Sequence, residues 1–321
     1  MSTASTFADR LQDAIERTNS CIVAGFDPRL EDFPAFIIKE SQTQAKTKED
    51  IVYQALVAFY SSALEAIYAS IAAIKPNIAF FEQYGLGGLR AYGEILSLAR
   101  EYQIPVIADA KRGDIGSTAT AYSAAFLGRV AVLGENVPVF DADAVTVNPF
   151  LGFDTLEPFL KDCTAYGKGI FVLVKTSNPG SSDIQALQVT SPDKHATLTV
   201  SEGIAAWLNS RSQQLLGKCG FSGLGAVVGA TYPDEARRLR RLMPRNFFLI
   251  PGMGAQGGSA EDAVAGFARH STSGESGGAI INLSRALFGA LPAACSSKKD
   301  LKEEIQARTA KYNQEIRQAL K

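Results

Sequence analysis

Eight short apolar runs recur along this 321-residue chain, and a stretch with helical spacing follows each of them. The runs are rich in β-branched residues and end in polar residues or glycine, which is the pattern of parallel strands joined by crossover helices. We predict strands at residues 21–27, 71–77, 105–111, 144–150, 169–177, 225–231, 247–254 and 279–285, with helical patterns that include 51–70, 88–102, 118–133 and 202–216. Eight strand–helix units indicate an α/β fold, a (β/α)8 TIM barrel, with residues 1–321 forming a single barrel domain.

An open doubly wound sheet is the alternative arrangement of such units. It would normally carry a glycine-rich dinucleotide turn after its first strand, and Gly25-Phe26-Asp27-Pro28 is not one. Two stretches, 28–50 and 178–201, are longer than a minimal barrel needs, and both follow strands on the expected active-site side. Loops there often form walls or lids, although a tolerated surface insertion explains residues 28–50 equally well. The charged segment 298–321 is predicted to be an outer helix.

The charge balance limits the partners of the chain. With 32 basic and 33 acidic residues its net charge is −1, which offers no overall field for nucleic acid or an anionic membrane and favours a small molecule. Residues 1–20 are amphipathic and lack the apolar core of a signal peptide, and we expect no apolar run long enough to span a bilayer. The four cysteines lie far apart, without metal-type spacing, which indicates a reducing cytoplasm. They are Cys21, Cys163, Cys219 and Cys295.

The sharpest functional signal lies at the end of the third predicted strand. There the chain reads Asp109-Ala110-Lys111-Arg112-Gly113-Asp114 after an apolar run. Alternation along a strand would put Asp109 and Lys111 on the same face, with Asp114 in the turn that follows. Charges are costly to bury unless they neutralise one another or act on a ligand, so this cluster indicates a reactive site. A solvated network of salt bridges is the alternative.

Further polar residues stand at the ends of other predicted strands, and all eight strand ends meet at one mouth in a barrel. They are Asp27, Lys75, Asn77, Ser177 and Arg285. The seventh strand leads into a glycine-rich turn, residues 251–258, whose backbone amides can bind a phosphate together with the guanidinium of Arg285. Each of these features has a structural alternative, because such residues also cap helices or begin turns.

Two other chemistries have little support. His195 and His270 fall in a predicted loop and a predicted helix, so neither indicates a Ser-His-Asp triad or a zinc site. A Schiff-base aldolase acting through Lys111 or Lys75 would need a lysine that loses its proton easily in an apolar pocket. The neighbouring carboxylates favour the charged form instead.

The charged residues resemble the orotidine 5′-phosphate decarboxylase family, and the resemblance extends over all eight predicted strands. The family signature D-x-K-x-x-D is matched by Asp109, Lys111 and Asp114, and Lys75 precedes it on the second strand. The longer run from Asp109 to Thr118 is similar to the bacterial long-chain (type 2) subgroup, and the two enlarged loops agree with that subgroup.

The resemblance implies a cofactor-free, metal-independent decarboxylation of orotidine 5′-monophosphate to uridine 5′-monophosphate, the last step of de novo pyrimidine biosynthesis. It implies that Lys111 protonates a carbanion at C6, that Asp109 positions Lys111 and that Lys75 balances the charges. Asp27 and Lys75 would contact the ribose hydroxyls, Ser177 the pyrimidine, and Gln256 and Arg285 the phosphate. Asp114 and Thr118 would enter the active site of a partner subunit, so the resemblance also implies a homodimer with shared sites.

Two alternatives remain beside this interpretation. A magnesium-dependent sugar-phosphate decarboxylase or aldolase of a related barrel family shares the D-x-K-x-x-D motif. Those relatives place a metal-binding carboxylate where this chain has Lys75, whose ammonium would repel Mg²⁺. A barrel that only binds nucleotides, without turnover, is the second alternative.

Overall fold

Eight parallel strands close into a barrel in the computed structural model, which describes residues 5–190, 197–254, 257–269, 276–291 and 295–321. The strands are β1 (Ile22–Phe26), β2 (Ala73–Pro76), β3 (Ile107–Arg112), β4 (Ala144–Val147), β5 (Gly169–Lys175), β6 (Ser222–Val228), β7 (Asn246–Ile250) and β8 (Ala279–Leu283). They pair in sequence order around the sheet, and the bridges Ile74–Val106 and Asn77–Asp109 join β2 to β3. The predicted (β/α)8 barrel is confirmed, with strand ends that differ by a few residues.

The helices are α1 (Phe7–Thr18), α2 (Ala35–Gln44), α3 (Lys48–Ile67), α4 (Ile78–Glu82), α5 (Gly85–Glu101), α6 (Gly116–Phe126), α7 (Glu157–Tyr166), α8 (Ser182–Gln185), α9 (Val200–Arg211), α10 (Pro233–Leu242), α11 (Ala260–Val264), α12 (Arg285–Phe288) and α13 (Lys298–Ala319). The prediction of one helix over 118–133 was wrong in its second half. α6 ends at Phe126, and Val130–Val132 pairs with Glu135–Val137 in a hairpin that turns at Gly134, where φ is 88°.

Helix α1 seals the end of the barrel where the strands begin. The ring of Phe7 packs edge-on against Phe171 of β5, with ring centroids 5.9 Å apart. Both rings are fully buried with side chains from other strands, including Phe247 and Ile280. A side chain at Gly169 would overlap Phe7, so the glycine that opens β5 makes room for this contact. The opposite end, where the strands finish, stays open.

The outer layer holds the remaining apolar helix faces against the barrel. Helix α3 and the turn after it, Lys48–Ser70, are long and apolar enough to cross a membrane by length and composition, contrary to our expectation from sequence. This helix buries Leu56, Phe59 and Leu64 in the core and packs between α5 and α13, which is the position of a core helix in a globular barrel. The predicted outer helix at the carboxyl end is α13.

Candidate active site

Strand β3 carries the charged cluster on a bulge rather than on a regular strand. Ala108 pairs with Val145 and Arg112 with Val147, so three residues of β3 stand opposite the single Thr146 of β4. Lys111 has a φ of 46°, in the left-handed region that non-glycine residues rarely adopt. Such strained residues persist only where the surroundings over-determine them, and they cluster at functional sites.

Asp109 lies between two ammonium groups. Its Oδ2 accepts from Lys75 Nζ at 2.5 Å and its Oδ1 accepts from Lys111 Nζ at 2.6 Å. Asp109 and Lys75 are both about 95% buried, whereas the side chain of Lys111 is 48% exposed at the open mouth. The predicted meeting of Asp109 and Lys111 is confirmed, although the bulge produces it and simple alternation does not. The ammonium of Lys111 is therefore held in place by Asp109 and remains accessible to a ligand at the mouth.

The pKa shifts in this array arise because opposite charges outweigh the effect of burial. Burial favours the neutral form of Asp109, but Lys75 and Lys111 outweigh burial and hold the pKa of this carboxyl far below its usual range. Burial likewise opposes the charge on Lys75, but the carboxylates of Asp109 and Asp27 outweigh it and raise the pKa of that ammonium. Both groups are consequently charged at neutral pH, as a preorganised electrostatic site requires.

A cavity of about 370 Å³ opens beside this array, between the ends of β1, β2, β7 and β8. Asp27, Asn77, Asn282 and Arg285 line it. Among the described residues, Oδ1 of Asp27 and Oδ1 of Asn282 are buried acceptors without a hydrogen-bond partner. Unpaired buried acceptors are uncommon in folded proteins, so the cavity offers sites for a ligand that carries hydroxyl donors.

Strand β1 approaches β8 closely on the cavity floor. A Cβ atom on Gly25 would overlap the hydroxyl of Ser284 and crowd the amide of Asn282. Glycine therefore leaves room for Asn282 of β8 and for Ser284, which follows β8, to line the cavity. We did not predict this role of Gly25 from the sequence.

In the turn after β7, three of the glycine amides that were predicted to bind a phosphate have other hydrogen-bond partners. Gly252 lines the cavity with a φ of 106°, a conformation open to glycine. However, the amides of Gly254, Gly257 and Gly258 donate to carbonyls of the same turn, so these three do not serve a ligand. Arg285, at the start of α12, lines the same cavity. Gln256 lies outside the described residues.

The enlarged loop after β1 forms one wall of the cavity. Arg29 and Phe33 line it, and the guanidinium of Arg29 lies 5.5 Å from the ring centroid of Phe80. The loop is anchored, because the amide of Leu30 donates to the hydroxyl of Tyr84 at 3.0 Å. The start of segment 28–50 is thus a site wall rather than a surface insertion.

Three further predicted residues do not line the cavity, namely Ser177, Asp114 and Thr118. Ser177 follows β5 beside Gly229, and its carbonyl accepts a hydrogen bond from Thr231 at 3.3 Å. Asp114 accepts from the amide of Ile115 within its own loop, and Thr118 is exposed on the first turn of α6. Within this chain, the structure brings Asp27, Lys75, Asp109 and Lys111 together. It does not place Asp114 or Thr118 in the cavity lining. His195 and His270 lie outside the described residues.

Two polar positions in or under the site escaped the sequence analysis. Thr146 is fully buried beneath the charged array, and Asn282 lines the cavity. Thr146 stands between two valines, and threonine is itself a common β-branched strand residue. The local sequence therefore gave no sign of a special role. Asn282 interrupts the apolar run of β8, which is a signal that a search for polar residues within buried strands would have found.

Fold and site together define a barrel enzyme that combines a lysine–aspartate–lysine array with an adjacent cavity that an arginine helps to line. The family model described as "Orotidine 5'-phosphate decarboxylase / HUMPS family" matches residues 58–299. The chain belongs to this family.

Relatives support the decarboxylase branch of the family. Orotidine 5'-phosphate decarboxylase from Caldicellulosiruptor bescii is 37% identical over 94% of this chain and 98% of its own length. The enzyme of that name from Rhodopirellula baltica is 37% identical over 97% and 99%. The solved structure of Leishmania donovani OMP decarboxylase matches with a TM-score of 0.64 at 32% identity, covering 95% of this chain and 99% of that one.

The sugar-phosphate alternative is not favoured. The curated relatives carry the decarboxylase name, and the site holds the ammonium of Lys75 against Asp109, which would repel a divalent cation. Across the described ranges, no group of three or more His, Cys, Asp or Glu side chains is arranged to hold a metal ion.

Proposed function

We propose that this chain catalyses the decarboxylation of orotidine 5′-monophosphate to uridine 5′-monophosphate, the last step of de novo pyrimidine biosynthesis. The observation that carries the proposal is the accessible ammonium of Lys111, which is held by the buried Asp109–Lys75 pair next to a cavity that Arg285 lines. All four cysteines are free, which supports a reducing cytoplasm as the site of action.

Lys111 stabilises the developing charge and supplies the proton. When the bond from C6 to the carboxylate breaks, its electron pair remains in an orbital that the pyrimidine ring delocalises poorly. The fixed ammonium of Lys111 offsets that charge and then transfers a proton to C6, while CO₂ leaves and the resulting neutral amine regains a proton from water. Asp109 holds this ammonium at 2.6 Å and stays ionised, because Lys75 shares its charge.

The rest of the substrate binds away from the reacting carbon. Asp27, with its unfilled acceptor, and Lys75 bind the ribose hydroxyls; Ser177 contacts the pyrimidine; Gln256 and Arg285 bind the phosphate. Binding energy from the remote phosphate can order the loops and the charged array before the reaction. The unpaired Oδ1 of Asp27 supports this division because it needs a hydroxyl donor.

The reaction is tested by following loss of orotidine 5′-monophosphate absorbance in EDTA with the wild-type chain and Lys111→Ala. We expect metal-independent turnover in the wild type and a loss of about 10⁴-fold in the variant, since one group supplies electrostatic stabilisation and general acid catalysis. Lys161→Ala, an exposed lysine on α7, is the matched control and should keep full activity. Turnover that requires added Mg²⁺ would refute the decarboxylase assignment, and nucleotide binding without turnover would favour a silent barrel.

The active unit is a homodimer with shared sites. An exposed apolar patch at the edge of the mouth supports it, with Ile115 62%, Phe150 75% and Leu151 51% exposed. The loops that carry these residues are adjacent, because Gly113 packs against the backbone of Asn148. Apolar patches of this kind commonly mark protein interfaces. A second copy docked there would receive residues from the nearby α6.

Asp114 and Thr118 then act in the site of the partner subunit. Asp114 would face the substrate carboxylate, and two unit charges ~4 Å apart at an effective dielectric constant near 20 repel by about 4 kcal/mol. Departure of CO₂ removes this repulsion. Thr118 would contact the bound substrate from the same side.

Mixing two inactive variants tests the shared site. Lys111→Ala and Asp114→Asn homodimers should each be nearly inactive. A refolded equimolar mixture should recover about a quarter of the wild-type activity, because half of the dimers are mixed and each mixed dimer has one intact site. No recovery, with a dimer mass confirmed by light scattering, would show that each site is built from one chain.

A further inference from the structure

The bulge in β3 removes ordinary ladder hydrogen bonds where the reactive lysine must be held. Between the pairs Ala108–Val145 and Arg112–Val147, three residues of β3 face one residue of β4. The amides of Ala110 and Lys111 therefore have no regular strand partner, and buried amides without partners are rare. Some other group must accept from them.

The hydroxyl of Thr146 takes this place. Its Oγ1 accepts from the amide of Ala110 at 3.0 Å and from the amide of Lys111 at 2.9 Å, and it donates to Oδ1 of Asp109 at 3.0 Å. A hydroxyl has one donor and two acceptor sites, so all three are used. The side chain is 1% exposed, which excludes bulk water from replacing it.

We propose that Thr146 is a positioning residue for the decarboxylation, because its hydroxyl holds the left-handed backbone of Lys111 and the Asp109 carboxylate in one arrangement. This inference rests on the proposed function. The same oxygen of Asp109 accepts from both Thr146 and Lys111 Nζ. One hydroxyl therefore holds the carboxylate and also the backbone of the lysine whose ammonium that carboxylate orients. Thr146 itself does not line the cavity and acts through Asp109 and Lys111.

Two variants at this position distinguish the positioning role of the hydroxyl from the packing role of the side chain. Thr146→Val keeps the shape and removes the hydroxyl, whereas Thr146→Ser keeps the hydroxyl and removes a methyl group. We expect kcat to fall about 10²-fold in Thr146→Val, with KM changed by less than about threefold, because a small displacement of the reacting group affects the transition state more than binding. Thr146→Ser should restore kcat to within about threefold of the wild type.

The control is Thr309→Val, which removes another fully buried threonine hydroxyl, one that donates to the carbonyl of Ile305 on the outer helix α13. Its kcat should not change. If Thr146→Val does not fold, Thr146→Cys, whose thiol is a weak donor and acceptor, takes its place against Thr146→Ser. Folding is checked by melting temperature, and binding of uridine 5′-monophosphate should be unaltered in each folded variant.

The outcomes distinguish a failure of the proposed reaction from a failure of the role proposed for Thr146. If the wild type does not decarboxylate orotidine 5′-monophosphate, the proposed function fails. If the wild type is active but the hydroxyl-free variant matches it, or the serine variant is equally impaired, the role of Thr146 fails alone. A rise in KM at constant kcat would also overturn it, since that result assigns Thr146 to substrate binding.

Discussion

The two ends of the barrel differ in how their buried and polar side chains are used. At the end where strands begin, Phe7 fills the interior and the buried guanidinium of Arg240 donates to four backbone carbonyls, those of Gly266, Met243, Asn246 and Gly278. At the end where strands finish, Lys111 is strained and half-exposed, and Asp27 has an unfilled acceptor. At the beginning of the strands the polar groups hydrogen-bond within the fold, whereas at the end of the strands they remain available to a ligand.

The difference indicates that stability and chemistry are separated along the strand direction. Barrel enzymes place reactive residues at the carboxyl ends of strands, whereas the opposite face chiefly stabilises the fold. Strain and unpaired acceptors lower stability, so a site that contains them depends on a well-packed remainder. Substitutions at the two ends should therefore affect different observables.

Asp109→Asn is expected to have the largest effect, because it should lower both kcat and the free energy of unfolding. Two ammoniums lose their shared counterion, so kcat should fall by about 10³-fold or more. The free energy of unfolding should fall by about 3–5 kcal/mol, the cost of breaking a buried ion pair. Steady-state kinetics and urea denaturation measure the two effects. Asp13→Asn, an exposed residue of α1 at the other end, should change neither.

The stability effect of Asp109 also predicts a pH dependence. Its pKa is depressed in the folded state, so the ionised carboxylate stabilises the protein above the unfolded-state pKa of about 3.9. This contribution is lost as the pH falls below about 4 toward the lowered value. The gap in denaturation midpoint between wild type and Asp109→Asn should therefore be constant from pH 5 to 7 and narrow on further acidification. A gap that widens with acid would contradict the ionised array.

Phe7→Ala should reduce stability alone. Removing a fully buried ring that contacts Phe171 leaves a cavity at the closed end, and such truncations cost about 3–5 kcal/mol. Thermal and urea denaturation measure the loss, whereas kcat per folded molecule should stay unchanged. Leu86→Ala, which alters a side chain that is 66% exposed, should shift stability by less than about 0.5 kcal/mol. A large fall in kcat for Phe7→Ala would show that the two ends are coupled.

Arg240→Met should have a smaller effect of the same kind. Methionine keeps much of the packing on Phe248, over which the guanidinium lies at 3.6 Å, but it removes the guanidinium donor from four carbonyls. Of these, the carbonyl of Gly278 still accepts from the amide of Phe248. We expect a loss of about 2–3 kcal/mol with normal kcat. Arg237→Met, on the same helix with an exposed ion pair to Asp234, should cost less than about 1 kcal/mol. Equal losses at both positions would mean that the carbonyl contacts contribute little.

The barrel could be predicted because its eight strands are read from local periodicity, which requires no knowledge of distant contacts. The predicted strand ends also located Lys75, Asp109 and Lys111, since neighbouring strand ends must meet in a closed barrel. The extent of α6 could not be predicted, because the apolar residues from Val130 to Leu133 belong to a hairpin and its turn rather than to a helix face. Amphipathic spacing alone does not distinguish these two cases.

The amino-acid sequence by itself determined the class of fold, the order of its strands and the residue types at the mouth, because hydrophobic period and strand-end position are local properties. Only the tertiary structure decided how the mouth works. The bulge in β3, the left-handed Lys111, the support by Thr146 and the unfilled acceptor of Asp27 depend on contacts between strands that are distant along the chain. Hydrogen-bond partners across a barrel are set by register, and one bulge changes that register without leaving a signature in either strand.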